Sequence, residues 1–473
     1  MTASKLATLV IMAVLGVAAV RDLTRLGGAA PWRNMDDFAD FYCAGAALDD
    51  RASPYTYEPL HRCEHRINTG DTFRARLFRE NPAVAVPAPQ PAYDFAPFML
   101  LARLPVGTAR LTGAIAILSS VALCAIALAG MGIPIELALA ALALSTAYVE
   151  LNTGQLVPFA LLALVLCGFG LSRRRDWIAG VFAALTAIEP TAGVPVVAAM
   201  LLFVPRGRAA ALITILLLAL AAAALVGPAH LLAYFTSVLP AHSASELHFP
   251  FQYSLTYALA YLGFSPGIAR LAGILSYLAL LVAGLAIAPR TCASVGKREL
   301  LVFLPALCAV IAGPFLHQEE LCFALPASLT LAVVARGTAK TVASCALCIL
   351  AVPWLAVWGM KQLFLACLLV CTAILLRLGV QFRISLSLLF LIAGVIYALE
   401  LHPPHLPMPA GSLSRVYASD QLAQDAWRDY TEERSTRDPL WFLIKLPTWT
   451  ALLATLGVAA RCSRTLQPIS ARI

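Results

Sequence analysis

Apolar runs long enough to cross a bilayer recur along most of the chain, and short polar or basic segments separate them. A helix needs about 20 apolar residues to span the hydrocarbon core of a membrane. On this pattern we predict spans at 6–20, 110–130, 133–150, 155–171, 209–227, 266–289, 299–315, 318–335, 341–358, 362–376, 384–399 and 440–459. We therefore expect an all-α polytopic integral membrane protein with about twelve spans.

The segment 177–204 does not fit a single span. Arg173, Arg174 and Arg175 precede it, Arg206 and Arg208 follow it, and Glu189-Pro190 lies at its middle. One crossing would place one of the two basic clusters outside, against the positive-inside rule. Proline also breaks a helix, and a carboxylate at mid-membrane depth is unfavourable unless it faces protein or water. We predict a re-entrant pair of half-helices.

The basic residues also predict an orientation. The Arg173–Arg175 triplet marks a cytoplasmic loop, which puts the N-terminus inside and the polar segment 21–93 outside. The first apolar run follows Lys5, and we expect it to be an uncleaved anchor. We treat 1–473 as one membrane domain in the plasma (inner) membrane, with a large first external loop at 21–93 and a late one at 400–438.

Composition narrows the class further. The chain is 60% hydrophobic and 13% charged, which excludes a soluble protein. Its net charge of +8 comes largely from short loops beside apolar runs, so it indicates contact with membrane lipid and not with nucleic acid. Most cysteines lie in apolar segments, but Cys43 and Cys63 fall in the first loop. These two can form a disulfide if that loop is extracytoplasmic, and the sequence leaves this open.

The polar stretch 36–55 contains the highest density of candidate catalytic side chains. Asp36, Asp37 and Asp40 fall within five residues, with Phe38 and Phe41 between and beside them. On a helix, residues three apart share a face, so one face can pack while another presents acid to a cavity. The alternative is a solvated helix beside the membrane that the acidic residues cap.

This stretch resembles the first-loop signature of glycosyltransferase family 87, the C-type, polyprenyl-phosphate-mannose-dependent α-mannosyltransferases. The similar positions there are Asp37-Phe38, Phe41-Tyr42, Ala44-Gly45, Ala47-Leu48 and Pro54-Tyr55. Further similar positions are Asn152-Thr153-Gly154-Gln155, Arg175-Asp176, Ala179-Gly180 and Pro190-Thr191. The likeness covers roughly the first half of the chain. Glu189 departs from it, because the family usually carries Lys at that position.

The resemblance implies transfer of a hexose, with mannose as the first candidate, from a polyprenyl-phosphate donor to a lipid or glycan hydroxyl. It implies an inverting displacement at the extracytoplasmic face, with no cofactor and no metal. Asp37 is the expected base, with Asp36 and Asp40 as flanking candidates, and His317 is expected to contact phosphate or relay a proton. The expected substrate-binding residues are Tyr42, Tyr55, Asn152, Gln155, Glu189 and Gln252.

Several points stay open at this stage. A lipid or sugar transporter that uses the broken helix at Glu189-Pro190, or an inactive relative that serves in envelope assembly, remains an alternative. Glu319 and Glu320 are expected to be solvated. The leaving phosphate needs a cation. The sequence does not choose among Arg33, His61, Arg62, His65, Arg66, Arg415 and Lys445.

Overall fold

The computed structural model describes residues 35–70, 72–357, 361–407 and 415–464. Within these ranges the regular structure is helical, apart from an isolated antiparallel bridge between Thr56 and Leu422. The predicted anchor at 6–20 and Arg33 lie outside the described residues. The first-loop helices are α1 Phe38–Asp49, α2 Tyr57–Ile67, α3 Phe73–Glu80 and α4 Ala96–Leu101.

Seven helices follow before the middle of the chain. They are α5 Val106–Gly130, α6 Ile135–Leu142, α7 Val149–Thr153, α8 Val157–Ser172, α9 Asp176–Leu185, α10 Pro190–Phe203 and α11 Arg208–Val226. A π-helical turn, Ala143–Tyr148, joins α6 to α7. Single π turns of this kind are often found inside longer helices near functional sites.

The second half of the chain contributes the remaining helices. They are α12 Pro228–Ala233, α13 Leu239–Ser245, α14 Leu255–Tyr261, α15 Pro266–Val295, α16 Leu300–Ala309, α17 Leu325–Val334, α18 Gly337–Leu350, α19 Trp354–Val357, α20 Lys361–Leu378, α21 Phe382–Leu401, α22 Ala423–Glu433, α23 Leu440–Leu443 and α24 Leu446–Arg464.

Six of the described helical segments are long and apolar enough to cross a membrane. They are Val106–Gly130, Ile135–Thr153, Pro205–Val226, Pro266–Val295, Phe382–Leu401 and Leu440–Arg464. The polytopic helical class is therefore confirmed. The full count of twelve spans stays a prediction, because other predicted spans fall on shorter apolar helices such as Val157–Ser172 and Gly337–Leu350.

Apolar side chains on the outside of the bundle agree with a lipid environment. Leu212 and Ile213 of α11 are 53% and 58% exposed, and Leu271 of α15 is 58% exposed. Soluble monomers rarely expose continuous apolar surfaces of this kind, whereas lipid tails cover them. The two helices therefore present lipid-facing surfaces.

The segment 177–204 is broken as the sequence predicts. A 3₁₀ turn, Thr186–Ile188, ends α9, and α10 begins at Pro190 with Glu189 in an extended conformation. A Cβ atom placed on Gly207 would lie 2.6 Å from the carbonyl oxygen of Asp176. The two ends of the segment therefore lie side by side, and the re-entrant pair itself stays a prediction.

The first loop packs onto the long helices through α1. A disulfide joins Cys43 of α1 to Cys63 of α2. Gly45 lets α1 approach α4 closely, because a Cβ atom there would lie 2.5 Å from the carbonyl carbon of Phe98. The aromatic rings of Phe38 and Phe98 meet edge to face at 5.5 Å. The loop is thus a packed layer with its own apolar core.

The N-terminal end of α1 packs against the turn after α7. The amide of Asp36 donates to the carbonyl of Asn152 at 3.1 Å, and that of Asp37 donates to Thr153 at 2.8 Å. Gly154 follows with a φ of +76°, and a Cβ atom there would lie 2.6 Å from Cβ of Phe38. The glycine is therefore required twice, for its left-handed backbone and for the close approach of α1.

We predict that Gly154→Ala lowers the midpoint of thermal unfolding in detergent and separates α1 from the turn. The positive φ alone costs about 1–3 kcal/mol for a residue other than glycine, and the overlap with Phe38 adds to it. Gly394→Ala in α21 is the matched control, because open space surrounds that position. Equal midpoints for Gly154→Ala and wild type would contradict the packing described here.

Candidate active site

A cavity of about 850 Å³ lies where the first-loop helices meet the ends of the longer helices. Its walls come from α1, α3, the turn after α7, the break before α10, the end of α13, the loop between α16 and α17, and α22. Seven of the site residues predicted from the sequence line this cavity, namely Asp36, Asp37, Asp40, Asn152, Gln155, Glu189 and His317.

Asp37 presents its carboxylate to this cavity. It is the N-cap residue of α1, but its side chain makes no capping hydrogen bond. Instead Oδ1 accepts from Nη2 of Arg74 at 2.6 Å, and Oδ2 accepts from Nε2 of Gln155 at 2.7 Å. The side chain is 26% exposed. The capping interpretation therefore does not describe Asp37, whose carboxylate is oriented by two donors from distant parts of the chain.

Arg74 is the cation behind this carboxylate. It belongs to α3, which begins after Thr72, whose hydroxyl accepts from the amide of Ala75 at 3.1 Å. Arg74 shares the buried face of α3 with Leu77 and Phe78 and is itself only 5% exposed. Its Nη2 also donates to Oδ2 of Asp40 at 2.7 Å. One guanidinium thus holds two of the three predicted acids.

Asp36 and Asp40 lie deeper than Asp37. Burial raises the pKa of Asp36 to about 6, although Arg74 opposes the shift. Burial also raises the pKa of Asp40 well above its ordinary value, again against the influence of Arg74. Asp40 is 3% exposed, and its second oxygen has no hydrogen-bond partner. Of the three acids, Asp37 is the one most open to the cavity.

His317 lines the same cavity, beside Glu246. Nε2 of His317 is 3.6 Å from Oε2 of Glu246. Burial lowers the pKa of His317, but Glu246, Glu319 and Glu320 raise it, and the net value is about 9. Glu246 is fixed in turn by Nε1 of Trp427, which donates to it from α22. The imidazole is therefore a cation at neutral pH.

Glu189 occupies the break between α9 and α10. It is 6% exposed and lines the cavity together with Glu319 and Glu320. We expected Glu319 and Glu320 to be solvated, but Glu320 is only 4% exposed and Glu319 is half-buried. The 3₁₀ turn that begins at Glu319 directs both toward the interior. This wall is therefore acidic.

Three expected substrate-binding residues lie away from the cavity lining. The hydroxyl of Tyr42 donates to the carbonyls of Ala102 and Leu104, and that of Tyr55 donates to Gln90. The side-chain oxygen of Gln252 accepts from the amide of Leu316 at 2.9 Å. These polar groups are satisfied by protein partners, so the three residues support the walls.

Most of the cations nominated for the phosphate also lie elsewhere. Among the described residues, His61, Arg62, His65, Arg66, Arg415 and Lys445 do not line the cavity. Arg62 pairs with Glu58, and Arg415 pairs with Asp429. The charged residues that line the cavity and were not foreseen are Arg74, Arg76, His242, Glu246 and Arg434. An arginine on the apolar face of α3 was the one signal for Arg74 in the sequence.

Part of the chain is similar to a known protein family. The model of a family described as Glycosyltransferase family 87 matches residues 89–317. This part of the chain is similar to glycosyltransferase family 87. The match confirms the resemblance and includes Asn152, Gln155, Glu189 and His317, while the stretch 36–55 precedes it. No curated protein and no solved structure matches the chain.

The similarity to family 87 and the apolar helices together support a membrane glycosyltransferase. Such a protein acts on a sugar donor and an acceptor. Within the described ranges, no group of three or more His, Cys, Asp or Glu side chains is arranged to hold a metal ion.

We predict that Arg74→Met strongly destabilises the fold. The change leaves the carboxylates of Asp37 and Asp40 without their buried partner, and removing one member of a buried ion pair costs about 3–5 kcal/mol. Arg76→Met is the matched control, because Arg76 lies on the same helix and is exposed. Thermal unfolding in detergent measures both, and similar midpoints for the two variants would contradict the role of Arg74.

We also predict that His317 makes stability depend on pH. Its pKa of about 9 lies above the ordinary value, so its contribution is complete below about pH 6.5 and is lost as pH rises through 9. Between about pH 7 and pH 10 the unfolding midpoint of wild type should fall more steeply than that of His317→Gln. His230→Gln, at an exposed histidine, should behave as wild type. Parallel curves for wild type and His317→Gln would contradict the ion pair with Glu246.

Proposed function

We propose that this protein transfers a hexose, with mannose as the first candidate, from a polyprenyl-phosphate carrier to a hydroxyl of a lipid or glycan. The reaction inverts the anomeric centre and takes place at the extracytoplasmic face. The observation that carries the proposal is the cavity itself, which is lined by Asp37, by His317 and by other residues of the matched family region.

Asp37 serves as the general base in this proposal. Its two oxygens accept hydrogen bonds from Arg74 and Gln155, so the carboxylate has a fixed orientation at the cavity surface. A base must lie within hydrogen-bond reach of the proton that it removes. The acceptor hydroxyl gives its proton to Asp37 as its oxygen attacks the anomeric carbon.

The leaving group is a phosphate, which needs positive charge but no proton. As the new carbon–oxygen bond forms, the bond from the anomeric carbon to the phosphate oxygen breaks, and the electron pair stays on the phosphate. His317, Arg76 and Arg434 are the cations of the cavity that can stabilise that charge. One displacement of this kind converts a β-linked donor into an α-linked product.

Two observations support the extracytoplasmic orientation. The Cys43–Cys63 disulfide belongs to an oxidising compartment, and it holds the helix that carries Asp40 and follows Asp37. The basic residues beside the long helices favour the cytoplasm for the opposite ends. The first loop and its acids then face outward, where polyprenyl-linked sugars are presented.

The experiment uses membranes that contain the full chain, radiolabelled polyprenyl-phosphate-mannose and a total lipid extract as acceptor. Wild type should transfer label, and Asp37→Asn should transfer at least about 100-fold less, because general-base catalysis contributes roughly that factor. Asp50→Asn, at the exposed end of α1, is the matched control and should retain activity.

Each outcome has a distinct meaning. Equal transfer by wild type and Asp37→Asn would overturn the assignment of the base and direct attention to Asp36 and Asp40. Absence of transfer by folded wild type with every acceptor fraction and with polyprenyl-phosphate-glucose as a second donor would overturn the proposed activity. The transporter and the inactive relative would then be tested next.

A further inference from the structure

A second pocket, of about 310 Å³, lies outside the cavity described above. It is formed where α14 meets the end of α22 and the segment that follows. Among the residues that line it are His248, Tyr257, Tyr261, Glu432, Ser435 and Arg437. None of them lines the large cavity.

The pocket lies at the edge of the membrane. Two of the candidate spans, Pro266–Val295 and Leu440–Arg464, begin directly beyond it along the chain. Tyr261 stacks on Phe442 with ring centroids 5.7 Å apart. Next to the pocket, Leu262 is 62% exposed and Phe264 is 49% exposed. Aromatic rings beside exposed apolar side chains are typical of the boundary between headgroups and acyl chains.

Two side chains of opposite charge line the pocket. Arg437 and Glu432 are both exposed, and neither has an ion-pair partner among the described residues. The carbonyl of Arg437 accepts from the hydroxyl of Tyr261 at 3.2 Å, which fixes the backbone and leaves the guanidinium for another ligand. A guanidinium suits a phosphate, and a carboxylate suits an ammonium group.

Buried polar atoms complete the wall. Tyr257 is 2% exposed, and its hydroxyl has no hydrogen-bond partner. On this ring lies the buried Lys445, which does not line the pocket, with Nζ 3.6 Å from the ring centroid. Buried polar groups are usually hydrogen-bonded, so the hydroxyl of Tyr257 is a candidate donor to a group bound in the pocket.

We propose that this pocket binds the headgroup of a zwitterionic phospholipid, namely phosphoethanolamine. Arg437 and the hydroxyl of Ser435 bind the phosphate, and Glu432 with the face of Tyr261 binds the ammonium group. The acyl chains lie along Leu262 and Phe264. A purely anionic headgroup is disfavoured, because Glu432 would repel it.

The bound lipid supports the wall of the large cavity. His248 lies in sequence between Glu246 and Phe249, which both line the cavity, and Ser435 follows Arg434, which also lines it. A headgroup between these segments fixes their separation. This inference does not depend on the transfer reaction, since it concerns binding at a different place.

Native mass spectrometry of the full chain in detergent tests the proposal, with 1-palmitoyl-2-oleoyl phosphatidylethanolamine and the matching phosphatidylglycerol as probes. We expect wild type to bind the ethanolamine lipid about tenfold more tightly. Glu432→Gln should abolish this preference, and Arg437→Gln should weaken binding of both lipids. Arg437→Lys should restore part of the affinity, since it keeps the charge without the planar fork.

The controls are chosen from neighbouring positions. Glu433→Gln and Arg66→Gln remove exposed charges outside the pocket and should bind as wild type. A thermal midpoint near that of wild type shows that each variant is folded. Equal binding of the two lipids by wild type, or an effect of Glu433→Gln as large as that of Glu432→Gln, would overturn the proposal. Displacement of the lipid by equimolar soluble O-phosphoethanolamine would also overturn it, in favour of a soluble phosphoamine site.

Discussion

A guanidinium buried among carboxylates is the interaction on which the rest of the site depends. Burial alone would make the charge of Arg74 unfavourable, but Asp40, Asp37, Asp36 and Glu64 together raise its pKa above the ordinary value. Removing water from such a group is costly unless its partners stay in place. Every contact that holds α3 against α1 therefore also holds the carboxylate of Asp37.

The two sides of the cavity are stabilised by different means. On the first-loop side, a disulfide, close helix contacts at glycines and the charges around Arg74 make a rigid layer. On the other side, Gln252 donates to Glu246 at 3.3 Å, and Trp427 donates to the same carboxylate. Glu246 thus connects the loop of His317 to α22. The distance between Asp37 and His317 is set by helix packing, not by a direct bond between them.

Hydrophobic pattern and basic loops were sufficient to predict a polytopic helical protein and the break at Glu189. Helix periodicity also placed Asp37 and Asp40 on a common side, where Arg74 contacts both. The lengths of several spans were less predictable. The run 299–315, for example, is apolar after Glu299, but α16 ends at Ala309, before the turn at Gly313 and Pro314.

The sequence does not predict which distant residue each polar side chain contacts. Arg74 is 37 positions from Asp37, Gln155 is 118 positions from it, and Trp427 is 181 positions from Glu246. Periodicity says which face a residue occupies, but it does not say which distant segment meets that face. For the same reason the sequence does not show that backbone carbonyls accept hydrogen bonds from the hydroxyls of Tyr42 and Tyr55.

The position of α22 has a consequence for how the protein matures. This helix supplies Trp427, which contacts Glu246, yet it is among the last helices to be synthesised. The acids of the first loop leave the ribosome more than 370 residues before it, as the separation of Asp37 from the end of α22 at Glu433 requires. A chain truncated before Ala423 would keep Asp37, Arg74 and Gln155 but lack one side of the cavity. The cavity is therefore completed only after Trp427 has been synthesised and has reached Glu246.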